Sequence, residues 1–281
     1  MMSTLGFPAP ARFDLYMHLS RRFLFLLFLG LASAVYAGEI ISGPMLGYKA
    51  HREIFMWLET KDADEVVLEY WLHNNPDEIQ RITQTDTPHH PGGGQIHHFV
   101  PGLLKMGATY DYRLLIDGEE ADLAAPGTFT TQDLWEWRKP PPDFEFLVGS
   151  CAYINDPEYD RPGEGYGKTT RTYELMGDSG ADFMIWTGDN WYWREPDYSS
   201  VSGMWYRPSH DRSIPEMQKF LGAMHHYATW DDHDYGPNDS NWSFEYKDLA
   251  LDIFKAYWGN HTYGEPDHPG VYSKFFWGDA A

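Results

Sequence analysis

Three short apolar runs in the second half of this chain stop abruptly and lead into side chains that can bind metal ions. Runs of this length with glycine or polar boundaries are typical of buried strands. In an open parallel sheet, functional groups gather at the carboxyl ends of the strands. The sequence therefore predicts one site built at three strand ends. The runs occupy residues 144–149, 182–187 and 226–230.

The side chains after these runs are a thiol, several carboxylates, a phenol and an imidazole. Such a mixture converging on one edge of a sheet predicts a metal site. The candidates are Cys151, the only cysteine, after the first run, Asp189 and Tyr192 after the second, and Asp231, Asp232 and His233, followed by Asp234, after the third.

A hydrolytic centre with two metals needs a carboxylate that bridges them and a water made acidic by the metal. Asp189 suits the bridge, since Gly188 lets the backbone turn sharply at the strand end. Tyr192 lies three residues further on, and its phenolate is a hard ligand favoured by Fe³⁺. The run from Asp231 to Asp234 predicts ligands for the second metal and a group for proton transfer.

Less specific interpretations of the same residues stay open. A lone cysteine is often a small buried hydrophobic residue. Four consecutive ionisable residues, as in 231–234, also occur as an exposed charged turn. The position of both features directly after strand-like runs favours the metal site.

Residues 1–37 have the organisation of a signal peptide. Arg21 and Arg22 precede an apolar run, and a segment of small residues ends at Ala37, where we predict cleavage. An uncleaved membrane helix and a twin-arginine signal are the alternatives. The sequence thus predicts an exported protein, periplasmic or extracellular, with no stable membrane span after cleavage.

The charge balance limits the possible partners. The chain carries 42 acidic and 21 basic residues, a net charge of −21. Such a surface repels nucleic-acid duplexes and anionic membranes. A small phosphate-ester substrate remains compatible with this charge, because bound metal ions would supply local positive charge.

Residues 38–131 read as an all-β domain. Short alternating strands are predicted at 53–58, 65–72, 95–100 and 109–116, separated by turn-rich segments, which indicates an immunoglobulin-like or fibronectin-like sandwich. The histidine pairs at 89–90 and 97–98 are predicted to be solvated or structural, because adjacent strand residues point to opposite faces.

Residues 132–143 contain three consecutive prolines and read as a stiff linker. Beyond it, strands alternate with helices predicted near 169–177, 214–223 and 244–258, which indicates a parallel sheet covered by helices. The aromatic run near residue 275 resembles the opening of another strand. We therefore expect 144–281 to be the N-terminal part of an α/β domain that continues further.

Three motifs in this order resemble a known family. Gly149-Ser150-Cys151, Gly188 to Tyr192 and Trp230 to Asp234 are similar to the motif set of PhoD-type alkaline phosphatases, within the calcineurin-like metallophosphoesterases. The segments 42–48 and 52–57 resemble the β-sandwich that precedes the catalytic domain in that family. The resemblance implies a sandwich followed by an incomplete αββα metallophosphoesterase domain.

The resemblance also implies an activity and roles for residues. It implies an exported enzyme that hydrolyses phosphomonoesters and phosphodiesters by a metal-activated hydroxide, with iron (Fe³⁺) and calcium (Ca²⁺). Its remaining ligands would lie downstream, so residues 1–281 alone are expected to be nearly inactive. By position, Cys151 and Tyr192 would bind iron, and Asp189 would bridge the two metals. Asp232 would bind calcium, and the place of Asp231 is less clear. His233 would stabilise the phosphate and the leaving group.

Two other functions remain open at this point. One is a nucleotidase or a phospholipase-like phosphodiesterase on the same scaffold. The other is a non-catalytic exported protein that binds calcium or glycans. Cys151 and Tyr192 discriminate between enzyme and calcium-binding protein, because a structural calcium site uses neither thiolate nor phenolate.

Overall fold

The structure, a computed structural model, describes residues 38–281. The predicted signal peptide, its cleavage site and the two alternatives for that segment lie outside the described residues. Within residues 38–281, no helix combines the length and apolar character needed to cross a bilayer.

The described chain forms strands in its first part and mixed strands and helices in its second. The strands are β1 Glu39–Lys49, β2 Ile54–Lys61, β3 Glu65–Leu72, β4 Asn75–Thr85, β5 Gln95–Phe99, β6 Thr109–Ile116, β7 Glu119–Glu120, β8 Thr128–Thr130, β9 Phe146–Gly149, β10 Phe183–Thr187, β11 His225–Thr229, β12 Gly264–Glu265 and β13 His268–Pro269. The helices are α1 Arg171–Gly177, α2 Val201–Arg212, α3 Pro215–Ala223, α4 Asp232–Tyr235 and α5 Lys247–Tyr257.

The larger sheet has six strands in the order β5-β2-β1-β11-β10-β9. Its strands β9, β10 and β11 run parallel, and β1 joins β11 in parallel where Leu46 pairs with His225. Strands β1, β2 and β5 are antiparallel. The sheet is therefore mixed, with an antiparallel half and a parallel half.

The smaller sheet covers one face of the antiparallel half. It has the order β4-β3-β6-β7, with β8 paired to β6, and all of its pairings are antiparallel. Side chains such as Met56 and Leu58 of β2 pack in one core with Leu68 of β3 and Leu114 of β6. This arrangement is a β-sandwich, as the alternating pattern of residues 53–116 predicts.

The two predicted domains share a sheet. Because side chains alternate along a strand, Trp57 of β2 faces away from the sandwich core and packs with Phe254 and Tyr257 of α5. Strands β1 and β2 are thus covered on both faces, by the second sheet and by helices. The layout of separate units at 38–131 and 144–281, joined by a linker at 132–143, is not confirmed.

Several elements of the second part match their predictions closely. Helix α3 begins at Pro215, whose fixed φ suits the first helical position. Helix α2, in contrast, lies outside the helices that the sequence predicts. Its buried positions include Arg207, Asp211 and Arg212, so no apolar periodicity marks it in the sequence.

Two further predictions for this part are wrong. Strand β9 lies at the sheet edge, and its Phe146 and Val148 are exposed on one face, so it is not a fully buried strand. The terminal aromatic run does not form a strand. Instead, Phe275 stacks on Tyr227 with ring centroids 3.7 Å apart, because the face of β11 offers an aromatic surface to cover.

The histidine pairs occupy polar contacts within the fold. His90 Nε2 lies 2.9 Å from Glu59 Oε1, and the ring stacks on Trp205. His97 Nε2 lies 2.8 Å from the hydroxyl of Thr60. These contacts agree with a structural role for both rings.

Buried His226 makes the stability of the fold sensitive to acid. Its Nδ1 accepts from Trp186 Nε1 at 3.0 Å and its Nε2 contacts the Phe220 carbonyl at 3.1 Å, an arrangement that requires a neutral ring. Burial lowers the pKa of His226 to about 3. Between that value and about 6.5 the unfolded chain binds a proton that the folded chain excludes, so stability is lost as pH falls through this window.

We expect His226→Gln, which keeps one donor and one acceptor, to lose less stability on acidification than the wild type, by up to about 2 kcal/mol. Denaturant unfolding at about pH 7.5 and about pH 4.5 measures the difference. His268→Gln, a change in an exposed hairpin, is the matched control. An equal acid sensitivity of wild type and His226→Gln would contradict the prediction.

Candidate metal centre

The three predicted strand ends lie side by side. In the parallel register, Gly149 pairs with Trp186, and Thr187 pairs with Thr229, so the strands end at the same edge. A Cβ atom on Gly188 would lie 2.6 Å from the Cβ of Asp231. Only glycine allows the loops after β10 and β11 to approach this closely.

The carboxylate of Asp189 is the centre of the candidate site. The Tyr192 hydroxyl donates to its Oδ2 at 2.7 Å, and Cys151 Sγ lies 3.7 Å from the same oxygen. The backbone N–H of His233 donates to Oδ1 at 3.4 Å. This one carboxylate therefore contacts residues from all three strand ends.

Two residues of the site hold the backbone in the left-handed region. Cys151 has φ of 59° and Asp189 has φ of 52°. Such values are uncommon for residues other than glycine and concentrate at functional sites. The loops are joined by backbone hydrogen bonds from Cys151 N to Gly188 O at 3.3 Å and from Ala152 N to Asp189 O at 2.9 Å.

Asp189, Asp232 and His233 form a group suited to a metal ion. One potential ligand atom from each lies within 4.8 Å of the others. The ring of His233 also lies against that of Tyr192, with centroids 4.3 Å apart. The structure thus brings together five of the six predicted site residues, counting Cys151.

The sixth residue, Asp231, has a different place. It is the N-cap of α4, and its Oδ1 accepts from the backbone N–H of Asp232 at 2.9 Å. It lies outside the group of three, and its role as a ligand stays a prediction. Capping explains why an aspartate precedes this short helix.

Asp234 positions two of the site loops, a role that the sequence analysis did not assign. Its Oδ1 accepts from the backbone N–H of Asn190 at 2.8 Å, and its Oδ2 accepts from that of Asp231 at 2.9 Å. The second contact completes a capping box, which the spacing of the two aspartates indicates. Complete burial raises the pKa of Asp234 to about 8, although these N–H donors favour the ionised form.

The titration of Tyr192 depends on the same surroundings. Burial, followed by the contacts with Cys151 and Asp189, raises the pKa of the Tyr192 hydroxyl well above its ordinary value. The phenol is therefore protonated in the metal-free protein and donates to Asp189. A cation in the site would compete for the same oxygen, because metal binding and protonation exclude each other there.

Two buried polar atoms near this edge support the fit of a cation. Among the described residues, neither His233 Nδ1 nor Asn190 Oδ1 has a hydrogen-bond partner. Buried polar atoms in native proteins are usually paired with protein, water or an ion. With a thiol, a phenol and two carboxylates beside them, the donor set suits a metal centre.

Arg194 holds two of the site loops together, a role that the sequence did not predict. Its Nε donates to Asp160 at 2.9 Å, its Nη2 donates to the Ile154 carbonyl at 2.6 Å, and its Nη1 donates to the Tyr192 carbonyl. The loop that follows Cys151 is thereby fixed to the loop that carries Tyr192. Only the tertiary contacts distinguish this arginine from a surface one.

A cavity of about 640 Å³ opens beside the site. Its lining includes Cys151, Tyr192 and His233, together with Tyr153, Tyr166 and Arg161. A volume of this size accommodates a small organic ligand.

Comparisons with known proteins identify a structural relative. No protein-family model and no curated protein matches the chain. Two solved structures are too dissimilar to carry an argument. A sensor domain of the anti-sigma factor RsgI4 from Pseudobacteroides cellulosolvens has 16% identity and a TM-score of 0.29, over 35% of this chain and 91% of that chain. A human FNIII domain has 14% identity and a TM-score of 0.25, over 35% of this chain and 81% of that chain.

A solved structure of PhoD is the informative match. It superposes with a TM-score of 0.63 at 15% identity, over 87% of this chain and 50% of the PhoD chain. At this identity the similarity concerns the fold, and this chain spans half the length of that structure. The described part of the chain has a PhoD-like fold.

Proposed function

We propose that the candidate metal centre belongs to the active site of an alkaline-phosphatase-D-type hydrolase that cleaves phosphate esters with Fe³⁺ and Ca²⁺. One observation carries the proposal. The Asp189 carboxylate contacts the Tyr192 hydroxyl and the Cys151 thiol through Oδ2 and the His233 backbone N–H through Oδ1, a central position that suits a bridging ligand. The PhoD-like fold supports the same reaction class.

The residues divide the chemistry between them. When bound, the two cations would supply positive charge for the phosphoryl oxygens and acidify a water molecule. Cys151 and Tyr192 would hold iron, Asp189 would bridge, and Asp232 would lie on the calcium side. The imidazole of His233 would donate to a phosphoryl oxygen or to the leaving alcohol.

The alternative of a non-catalytic calcium-binding protein is less well supported. Calcium sites are built from oxygen ligands. Here a thiol sulfur lies 3.7 Å from the central carboxylate, and a phenol donates to the same oxygen. Those two groups have no purpose in a purely structural calcium site.

Metal removal tests the proposal in the full-length protein. We expect the purified protein to contain iron and calcium, to absorb visible light through phenolate- or thiolate-to-iron charge transfer, and to hydrolyse a simple phosphate ester. Treatment with a chelator should lower turnover by about 100-fold or more, and addition of both metals should restore it.

Cys151→Ser provides a matched test of the iron ligand. We expect this variant to lose the visible absorption and much of the iron, measured by elemental analysis, since a hydroxyl is a weaker ligand than thiolate. Rates on a diester and a monoester distinguish the phosphatase from a phospholipase-like phosphodiesterase. Full activity in an iron-free, colourless protein would refute the iron assignment.

A further inference from the structure

A row of aromatic rings leads from the candidate metal centre along the cavity. The ring of His233 lies 4.3 Å from that of Tyr192, Tyr192 lies 5.0 Å from Tyr153, and Tyr153 lies 5.2 Å from Tyr166. The last ring contacts its neighbour edge-on and is 67% exposed. The exposed ring of Tyr166 is therefore available to a flat group extending outward from the centre.

The two arginines that line the cavity differ in what they can bind. Arg194 is buried and its guanidinium is engaged by Asp160 and by the Ile154 and Tyr192 carbonyls. Its plane also lies 4.2 Å from the Tyr153 ring centroid. Each of its three nitrogens therefore already contacts an acceptor of the protein.

Arg161 is held much more weakly. Its only charged contact among the described residues is one oxygen of Glu195, reached by Nε at 3.2 Å and by Nη2 at 3.1 Å. The two side chains are 73% and 53% exposed. Exposed pairs of this kind contribute little to stability. An incoming phosphate, which matches the guanidinium in two-point geometry, can replace Glu195 at small cost.

We propose that Tyr166 and Arg161 form a subsite for the alcohol part of the substrate, and that the preferred substrates are nucleotide-like esters with a planar base and a second phosphate. The proposal rests on the proposed phosphatase function. The base stacks on the exposed ring, as bases stack on aromatic side chains elsewhere. The second phosphate binds the guanidinium, a compensation that a chain with net charge −21 needs for an anionic substrate.

The reaction at the scissile phosphate is ordinary hydrolysis. Water adds its oxygen to phosphorus, the ester P–O bond breaks, and the departing oxygen takes up a proton. The subsite makes no bond in this step. It holds the departing nucleoside phosphate, so its removal should act on KM more than on kcat.

The experiment uses the full-length protein and three monoester substrates. Adenosine 3′,5′-bisphosphate carries a base and a second phosphate, AMP carries a base only, and glycerol phosphate carries neither. For Arg161→Gln we expect KM to rise about tenfold for the bisphosphate and to change less than about twofold for the other two. For Tyr166→Leu we expect KM to rise for both adenosine esters and not for glycerol phosphate.

A double-mutant cycle identifies the route of the effect. Glu195→Gln removes the competitor for the guanidinium and should lower KM for the bisphosphate in the wild-type background. In Arg161→Gln the same change should have little effect, because the guanidinium is absent. Arg171→Gln removes an exposed charge from α1 and is the matched control. Isothermal titration with adenosine 3′,5′-bisphosphate provides a readout independent of turnover.

The outcomes separate this proposal from the proposed function. Equal KM changes for all three substrates in Arg161→Gln, or unchanged bisphosphate binding, would overturn the subsite while leaving the phosphatase intact. No hydrolysis of any ester by the metal-loaded wild type would overturn the proposed function. A rise in KM for the bisphosphate alone in Arg161→Gln supports both the subsite and the proposed phosphatase function.

Discussion

Asp189→Asn is expected to lower turnover of phosphate esters by more than about 100-fold in the full-length protein. Partners that merely orient metal ligands change activity by about 10- to 100-fold, so removal of the proposed bridging ligand should exceed that range. The amide keeps the shape of the side chain but removes the negative charge that faces Tyr192 and Cys151. Steady-state kinetics and metal content measure the effect.

Asp178→Asn is the matched control for this substitution. Asp178 is exposed at the end of α1 and pairs with Lys219, so the same chemical change there should leave turnover unchanged. Near-normal turnover with normal metal content in Asp189→Asn would contradict the bridging role. Melting temperatures of both variants distinguish loss of the site from loss of the fold.

Arg207→Met is expected to destabilise the described fold by about 3–5 kcal/mol, the cost of breaking a buried ion pair from one side. The Arg207 side chain is fully buried, and it contacts Asp197 at 2.7 Å, Asp156 at 3.2 Å and Asp211 at 3.4 Å. Burial alone would lower its pKa, but these carboxylates raise the pKa above the ordinary value. Without the cation, three carboxylates remain together away from water.

Denaturant unfolding measures this loss, with Arg171→Met on the surface of α1 as the control. Addition of Asp211→Asn to Arg207→Met should recover part of the stability, since burial already raises the pKa of the Asp211 carboxyl and disfavours its charge. A loss below about 1 kcal/mol in Arg207→Met would contradict a cluster held by this arginine.

The regular elements that could be predicted have strong local patterns. Strands β3 and β6 have the predicted bounds, 65–72 and 109–116, because β3 is a short, largely apolar run and buried positions alternate with more exposed ones along β6. Helix α2 could not be predicted, since the residues it buries include Arg207 and Asp211, whose partners come from other loops. A periodic pattern of apolar residues predicts a helix only when the buried face of that helix is apolar.

The proximity of the candidate side chains could be predicted from local sequence patterns. Cys151, Asp189 and Tyr192 follow strand-like runs, and parallel strands bring such ends together without further information. The roles of Asp234 and Arg194 depend instead on backbone groups contributed by distant segments. No spacing along the chain encodes those contacts.

The sequence by itself determined the three parallel strands after residue 144 and the reactive side chains that follow them, because both depend on neighbours a few residues apart. Only the tertiary structure decided that β1 pairs with β11, so that the sandwich and the parallel strands share one sheet. It also decided which of the acidic residues converge, since Asp232 lies in the candidate metal group and Asp231 caps a helix. Pairing between distant segments depends on the complementarity of whole surfaces, and local sequence patterns do not record it.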